Sequence, residues 1–267
     1  MFDTAKRIGL GTYTLTDNDG TSIVETAIEE GYRHVDTARL YENEREVGTA
    51  IESADVDRDD LFVATKIAHF EEPKKTAEYV RTAVEESFER LGLNRIDLLY
   101  HHWPRDQAEI KTVLPSLEEY IDAGIITNLG VSNYTIDDLE LADDLVDVPI
   151  AANQVEMHPL LPQAKLHEHQ QTTDTWLIAY SPLAQGEVFG EAAIETVADK
   201  HDVSEAVVSL AWLLSKEGVA AIPRSASTDH LRDNLAAHEL ELDAEDIERI
   251  DAIERTHRCE NPLWMTW

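Results

Sequence analysis

The chain has 267 residues, 43% of them hydrophobic, enough for a substantial core and too many for a disordered polymer. Asp+Glu number 54 against Lys+Arg 22, a formal charge of −32, which makes nucleic acid and anionic membrane unsuitable as main partners because both need a basic footprint. A single cysteine, Cys259, excludes an internal disulfide and any cysteine-cluster zinc or iron–sulfur site.

Residues 1–15 hold no apolar stretch of the signal-peptide kind. The longest apolar run, 206–214, is interrupted by Ser209 and is far shorter than the ~20 residues of a membrane span. A soluble, cytoplasmic protein is expected. The acidic residues are scattered through the helical segments, and lysine is the depleted cation, with 8 Lys against 14 Arg. In dilute buffer such a charge repels itself, and at ~1 M salt a Debye length of ~3 Å removes that repulsion. The composition therefore predicts a halophilic protein with an acidic surface.

In chain order, short apolar or β-branched runs at 8–13, 34–37, 61–66, 96–102, 126–132, 151–156, 175–180 and 219–223 predict eight strands. Amphipathic segments separate them. Over 74–91, for example, Ala77, Val80, Val84, Phe88 and Leu91 recur every three or four residues. Two helices, about 187–201 and 204–216, fill the gap between the seventh and eighth strands. Pro104, Pro149, Pro159 and Pro223 fall beside strand ends. Strands alternating with helices point to the α/β class, and eight units in a chain of this length fit a closed (β/α)8 TIM barrel. With no linker or low-complexity tract, one domain over 1–267 is expected, its tail 255–267 lying over the mouth. The strand ends carry Asp36, Lys66, His102, Ser132, Asn133, Gln154, Tyr180 and Arg224, a ring of polar groups at the rim where such barrels place their chemistry.

The segments DTARLYENEREVG (36–48), FVATK (62–66), LLYHHWP (98–104), GVSNY (130–134), NQVEMHP (153–159), AYSPLAQG (179–186) and IPRSASTDHLRDN (222–234) occur in the order found in aldo-keto reductases. The chain resembles that superfamily from about Ile8 to Asn234, and within it the short prokaryotic diketogluconate-reductase type. The resemblance implies a catalytic tetrad of Asp36, Tyr41, Lys66 and His102. The chemistry agrees with elementary considerations. A free tyrosine, with a pKa near ~10, is a sluggish acid, and a neighbouring ammonium such as Lys66 lowers that pKa. Asp36 would hold Lys66 in place and charged, and a neutral His102 would orient the carbonyl oxygen. His101 precedes His102, but the histidine directly before Trp-Pro fits the motif. Strand alternation turns His101 toward the helices.

No GxGxxG opens a βα unit, so a Rossmann site is not expected. The resemblance instead implies a nicotinamide cofactor across the barrel mouth, NADPH with NADH possible. Thr12, Ser132, Asn133, Gln154, Tyr180, Ser181, Leu183, Arg224, Ser225, His230, Asp233 and Asn234 would hold it. Arg224 stands where the family usually has lysine, which keeps the charge and adds a fork suited to phosphate. Asp233 takes the place of a glutamate, and His230, where arginine is common, would grip a 2′-phosphate less firmly because a histidine is mostly neutral at pH 7. Tyr13, Trp103 and Trp264 are candidate walls of a substrate pocket. His257 and Arg258 are read as surface residues. His167 and His169 lie two apart on a predicted helix and do not share a face, so no metal is expected. The expected function is reduction of aldehydes, keto-sugars or diketones by a monomeric enzyme whose partner is the small-molecule carbonyl. The alternatives are a non-catalytic cofactor sensor on the same barrel, or a barrel isomerase or lyase.

Overall fold

The computed structural model describes residues 2–72, 75–263 and 265, with backbone alone at 17 and 18. Eight strands appear in the expected places: β1 Leu10–Gly11, β2 His34–Asp36, β3 Phe62–Ile67, β4 Ile96–His101, β5 Ile126–Ser132, β6 Ile150–Glu156, β7 Trp176–Tyr180 and β8 Val219–Ala221. Each pairs in parallel with the next, in the order β1 to β8. The seam closes through a parallel bridge between Ile8 and Ala221, with Gly9 N–H donating to Ala221 O (2.8 Å) and Ala221 N–H to Arg7 O (2.8 Å). The Arg7 guanidinium locks the lower seam by donating to the carbonyls of Leu214, Lys216 and Val219. The result is the (β/α)8 barrel. The two closing strands are shorter than the runs 8–13 and 219–223, since Pro223 has no N–H with which to extend the ladder.

Ten α-helices are assigned among the described residues: α1 Asp17–Glu29, α2 Glu44–Ser53, α3 Ala77–Leu91, α4 Gln107–Asp122, α5 Ile136–Asp143, α6 Ala164–Gln170, α7 Ala192–His201, α8 Glu205–Leu214, α9 Thr228–Ala236 and α10 Ala244–Asp251. Helix starts follow from side chains that accept otherwise unpaired N–H groups. Thr76 caps α3 through Tyr79 N–H, Asp106 caps α4, and Thr135 with Asp138 forms a capping box on α5. Helix α3 ends at Gly92, whose φ of 65° suits the left-handed turn. As expected, α7 and α8 both lie between β7 and β8.

Strand alternation divides the core in two. Outward residues such as Val35, Val63, Ile67, Leu99 and Val131 pack against the helices, while Phe62, Ala64, Leu98, Tyr100, Ala152, Ile178 and Ala220 fill the barrel. Phe2 plugs the lower end, its ring centroid 4.7 Å from Phe62, 5.1 Å from His34 and 5.2 Å from Trp176. Gly130 is required in β5 because a Cβ there would stand 2.6 Å from the Tyr100 ring. Above these apolar layers the same inward positions turn polar: Asp36, Lys66, Ser132, Gln154 and Tyr180. Geometry thus hands every inward strand end to one space at the upper mouth.

Candidate active site

That space is a cavity of about 690 Å³, walled by residues from the ends of all eight strands or the loops just beyond them. Of the expected ring, Asp36, His102, Ser132, Asn133, Gln154, Tyr180 and Arg224 line it. Lys66 lies just beneath, with its side chain fully buried. Its ammonium has three protons and three partners: the Asp36 carboxylate, Thr37 O at 2.7 Å and the Tyr41 hydroxyl at 3.4 Å. The other Asp36 oxygen accepts from Gln154 Nε2 at 2.8 Å, and the Asp36 carbonyl accepts from Thr12 Oγ1 at 3.0 Å. Tyr41 stands on a single 3₁₀ turn, Arg39–Tyr41, after β2, with the Lys66 ammonium 4.9 Å from its ring centre.

Removal from water disfavours the charged form of Lys66, but Asp36 and Tyr41 more than compensate and hold its pKa above the ordinary value. Tyr41 departs from the simple expectation. Burial raises its pKa above 10.0, and Lys66 offsets only part of that rise. The ammonium thus counteracts desolvation and does not by itself make the phenol acidic. His102 follows β4 immediately, its N–H donating to Ile67 O at 2.7 Å and its ring 5.8 Å from that of Tyr41, edge-on. Burial, assisted by the Lys66 charge, holds its pKa far below 6.5, so the imidazole is neutral. His101 faces outward as alternation requires, with Nδ1 2.7 Å from the Tyr134 hydroxyl.

One wall is built from amides and hydroxyls. Asn133 adopts a left-handed φ of 61°. Its Nδ2 donates to Ser132 Oγ and to His102 O, and its Oδ1 accepts from the Tyr180 hydroxyl at 2.9 Å. Ser132 Oγ donates to Gln154 O at 2.8 Å. Ser181 and Leu183 continue this wall, and Thr12 joins it from the β1 side. Of the adenosine-end candidates, Ser225 Oγ is engaged in a local turn with Ser227, and His230 is exposed on α9. Asp233 accepts from Ser204 Oγ at 2.6 Å and Asn234 is buried; Ser225, His230, Asp233 and Asn234 are not among the residues lining the cavity. Tyr13, 61% exposed, stands edge-on to Tyr41, and the buried Trp103 also lines the cavity. Trp264 lies outside the described residues.

Several groups at the mouth were not singled out by the sequence reading, among them His69, Glu260 and Pro262, although the tail that carries the last two was expected there. His69, beyond the end of β3, lines the cavity with its ring 4.7 Å from that of His102. Its position three residues after Lys66 was the available signal. Glu260 and Pro262 of the tail also line the cavity. The tail is held by Glu156, buried at the end of β6, whose two carboxylate oxygens accept the N–H groups of Cys259 (2.6 Å) and Glu260 (2.8 Å). His158 Nε2 donates to the same carboxylate at 3.0 Å. Glu156, His158 and Cys259 place potential metal donors within 4.8 Å of one another, but the Glu156 oxygens are already engaged in fastening the tail. His167 lies on α6, its Nε2 3.0 Å from Glu217 O.

A model of the Aldo/keto reductase family matches residues 7–193 and 189–255. The chain is 36% identical over 257 residues to a methylglyoxal reductase of Escherichia coli O157:H7, covering 95% of each protein. It is 37% identical over 262 residues to 2,5-diketo-D-gluconic acid reductase B of a Corynebacterium species, covering 92% of this chain and 88% of that protein. An aldo-keto reductase from a Medee basin deep-sea metagenome library superposes with a TM-score of 0.91 at 30% identity, over 96% of this chain and 93% of that one. Barrel, site and similarity agree that the chain belongs to the aldo/keto reductase family.

Proposed function

We propose that the protein is a carbonyl reductase that uses NADPH, with NADH as the alternative cofactor, to convert aldehydes, small keto-sugars or diketones to alcohols. The observation that carries this reading is the contact of the buried Lys66 ammonium with the Tyr41 hydroxyl, directly below the cavity. The residues present fit a nicotinamide cofactor. Ser132, Asn133 and Gln154 offer the amide and hydroxyl groups that pair with a carboxamide, and Tyr180, its hydroxyl tethered, supplies an aromatic wall. Arg224 is an exposed cation at the cavity rim, suited to phosphate. The cofactor supplies a hydride to the carbonyl carbon.

The protein's own groups manage the oxygen. Tyr41 and the neutral His102 orient the carbonyl between them. As negative charge develops on oxygen, the Tyr41 proton moves to it. Lys66 attracts the emerging phenolate more strongly than the phenol, so its stabilisation grows toward the transition state. Asp36 and Thr37 O fix the ammonium, so little rearrangement is needed. We read residues 1–267 as one monomeric, cytoplasmic domain with its tail over the mouth.

The test is Tyr41→Phe. Reduction should fall by at least about 10²-fold, the usual contribution of a general acid. Cofactor affinity, followed by quenching of protein fluorescence, should change less than twofold. A variant that reduces a reactive aldehyde at near wild-type rate would remove Tyr41 as the acid.

A further inference from the structure

The loop after β3 is organised around His69. Its N–H donates to Glu72 Oε2 at 2.6 Å, and its carbonyl accepts from Lys75 Nζ at 2.5 Å. Lys75 is itself buried and also donates to Glu72 O at 3.0 Å. Ala68, at a left-handed φ of 62°, turns the chain into this arrangement. The ring Nδ1 accepts the N–H of Glu71 at 3.2 Å, which places the ring proton on Nε2. Burial lowers the pKa of the ring to about 4, so it stays neutral. The ring is packed edge-on against both His102 and Trp103, so it cannot swing freely. The loop therefore engages every polar atom of His69 except the Nε2–H, on a residue that lines the cavity beside His102.

A simple aldehyde has one oxygen, which the proposed reaction assigns to Tyr41 and His102. It leaves a second fixed donor without a substrate partner. Sites built around a hydrogen-bond donor discriminate against ligands lacking the matching acceptor. Resting on the function proposed above, we infer that His69 is a specificity-determining residue whose Nε2–H takes the second oxygen of vicinal dicarbonyls. The preferred substrates then carry oxygen on two adjacent carbons, one held for reaction and one held by His69.

The experiment compares methylglyoxal with propanal, equal in carbon number, through the ratio of their kcat/KM values in wild type, His69→Phe, His69→Ala and His69→Gln. Hydration of the dicarbonyl is a property of the substrate and cancels between enzymes. Wild type should favour methylglyoxal once its free carbonyl form is counted. The ratio should drop about tenfold in both His69→Phe and His69→Ala, the loss typical of one neutral hydrogen bond. The same fall in a larger and a smaller side chain ties it to the missing donor and not to packing. His69→Gln retains an N–H and should recover most of the ratio. A ratio within twofold of wild type in any folded donor-less variant overturns the inference, as does a wild type that prefers propanal. Wild-type inactivity on both substrates with either cofactor overturns the parent reading as well, and so is distinguishable.

Discussion

Lys66 and Tyr41 show how one side chain sets the chemistry of another within a small volume. Motif spacing identified both residues, but the balance of influences on the phenol could not be read from spacing. Burial raises the Tyr41 pKa while the ammonium lowers it, and only coordinates show that burial dominates. His69 was missed for a related reason, since its role depends on three loop hydrogen bonds that no periodicity reports. Buried histidines also govern acid stability. His34, fully buried beneath the barrel, and His69 are both held at a pKa of about 4 by desolvation, against 6.5 when free. Between these values the unfolded chain binds protons that the native one does not, so stability falls as pH falls through that window. Each group contributes at most about 1.4 kcal/mol per pH unit there. Urea midpoints should decrease from pH 7 to pH 5, and His34→Gln should flatten the slope. Equal slopes in variant and wild type would show that His34 is not among the groups responsible.

At the level of elements, the strands were legible because their inward and outward residues differ so consistently. The runs at 61–66, 96–102 and 126–132 became β3, β4 and β5 within a residue or so. The tail was expected over the mouth, but the contact that fastens it was not legible. Its anchor, Glu156, lies 103 positions before Cys259, and nothing local in either segment announces the pairing. Hydrogen bonds to a charged acceptor contribute roughly 1.5–3 kcal/mol each. Glu156→Ala should therefore release the tail, accelerating hydrogen exchange at the Cys259 and Glu260 amides by about tenfold or more. Amides in β3 and β4 should exchange as before. Unchanged protection at 259 and 260 would mean that other contacts hold the tail.

For the molecule as a whole, 54 acidic residues face 22 basic ones, and many of the basic side chains are already engaged in ion pairs. Carboxylates such as Asp229, Asp59 and Glu245 stand 93%, 85% and 77% exposed. We expect a halophilic stability profile, with the thermal midpoint climbing by roughly 10 °C or more between 0.1 M and 2 M KCl as screening shortens the range of repulsion. A midpoint indifferent to KCl would refute that reading.

The Glu156 anchor has a chemical corollary for the sulfur beside it. Burial, together with the carboxylates of Glu156 and Glu260, pushes the Cys259 thiol up to about 12. At neutral pH almost none of it is thiolate, the form that attacks electrophiles. On the function proposed above, the one sulfhydryl would thus add only slowly to the carbonyl compounds the enzyme reduces.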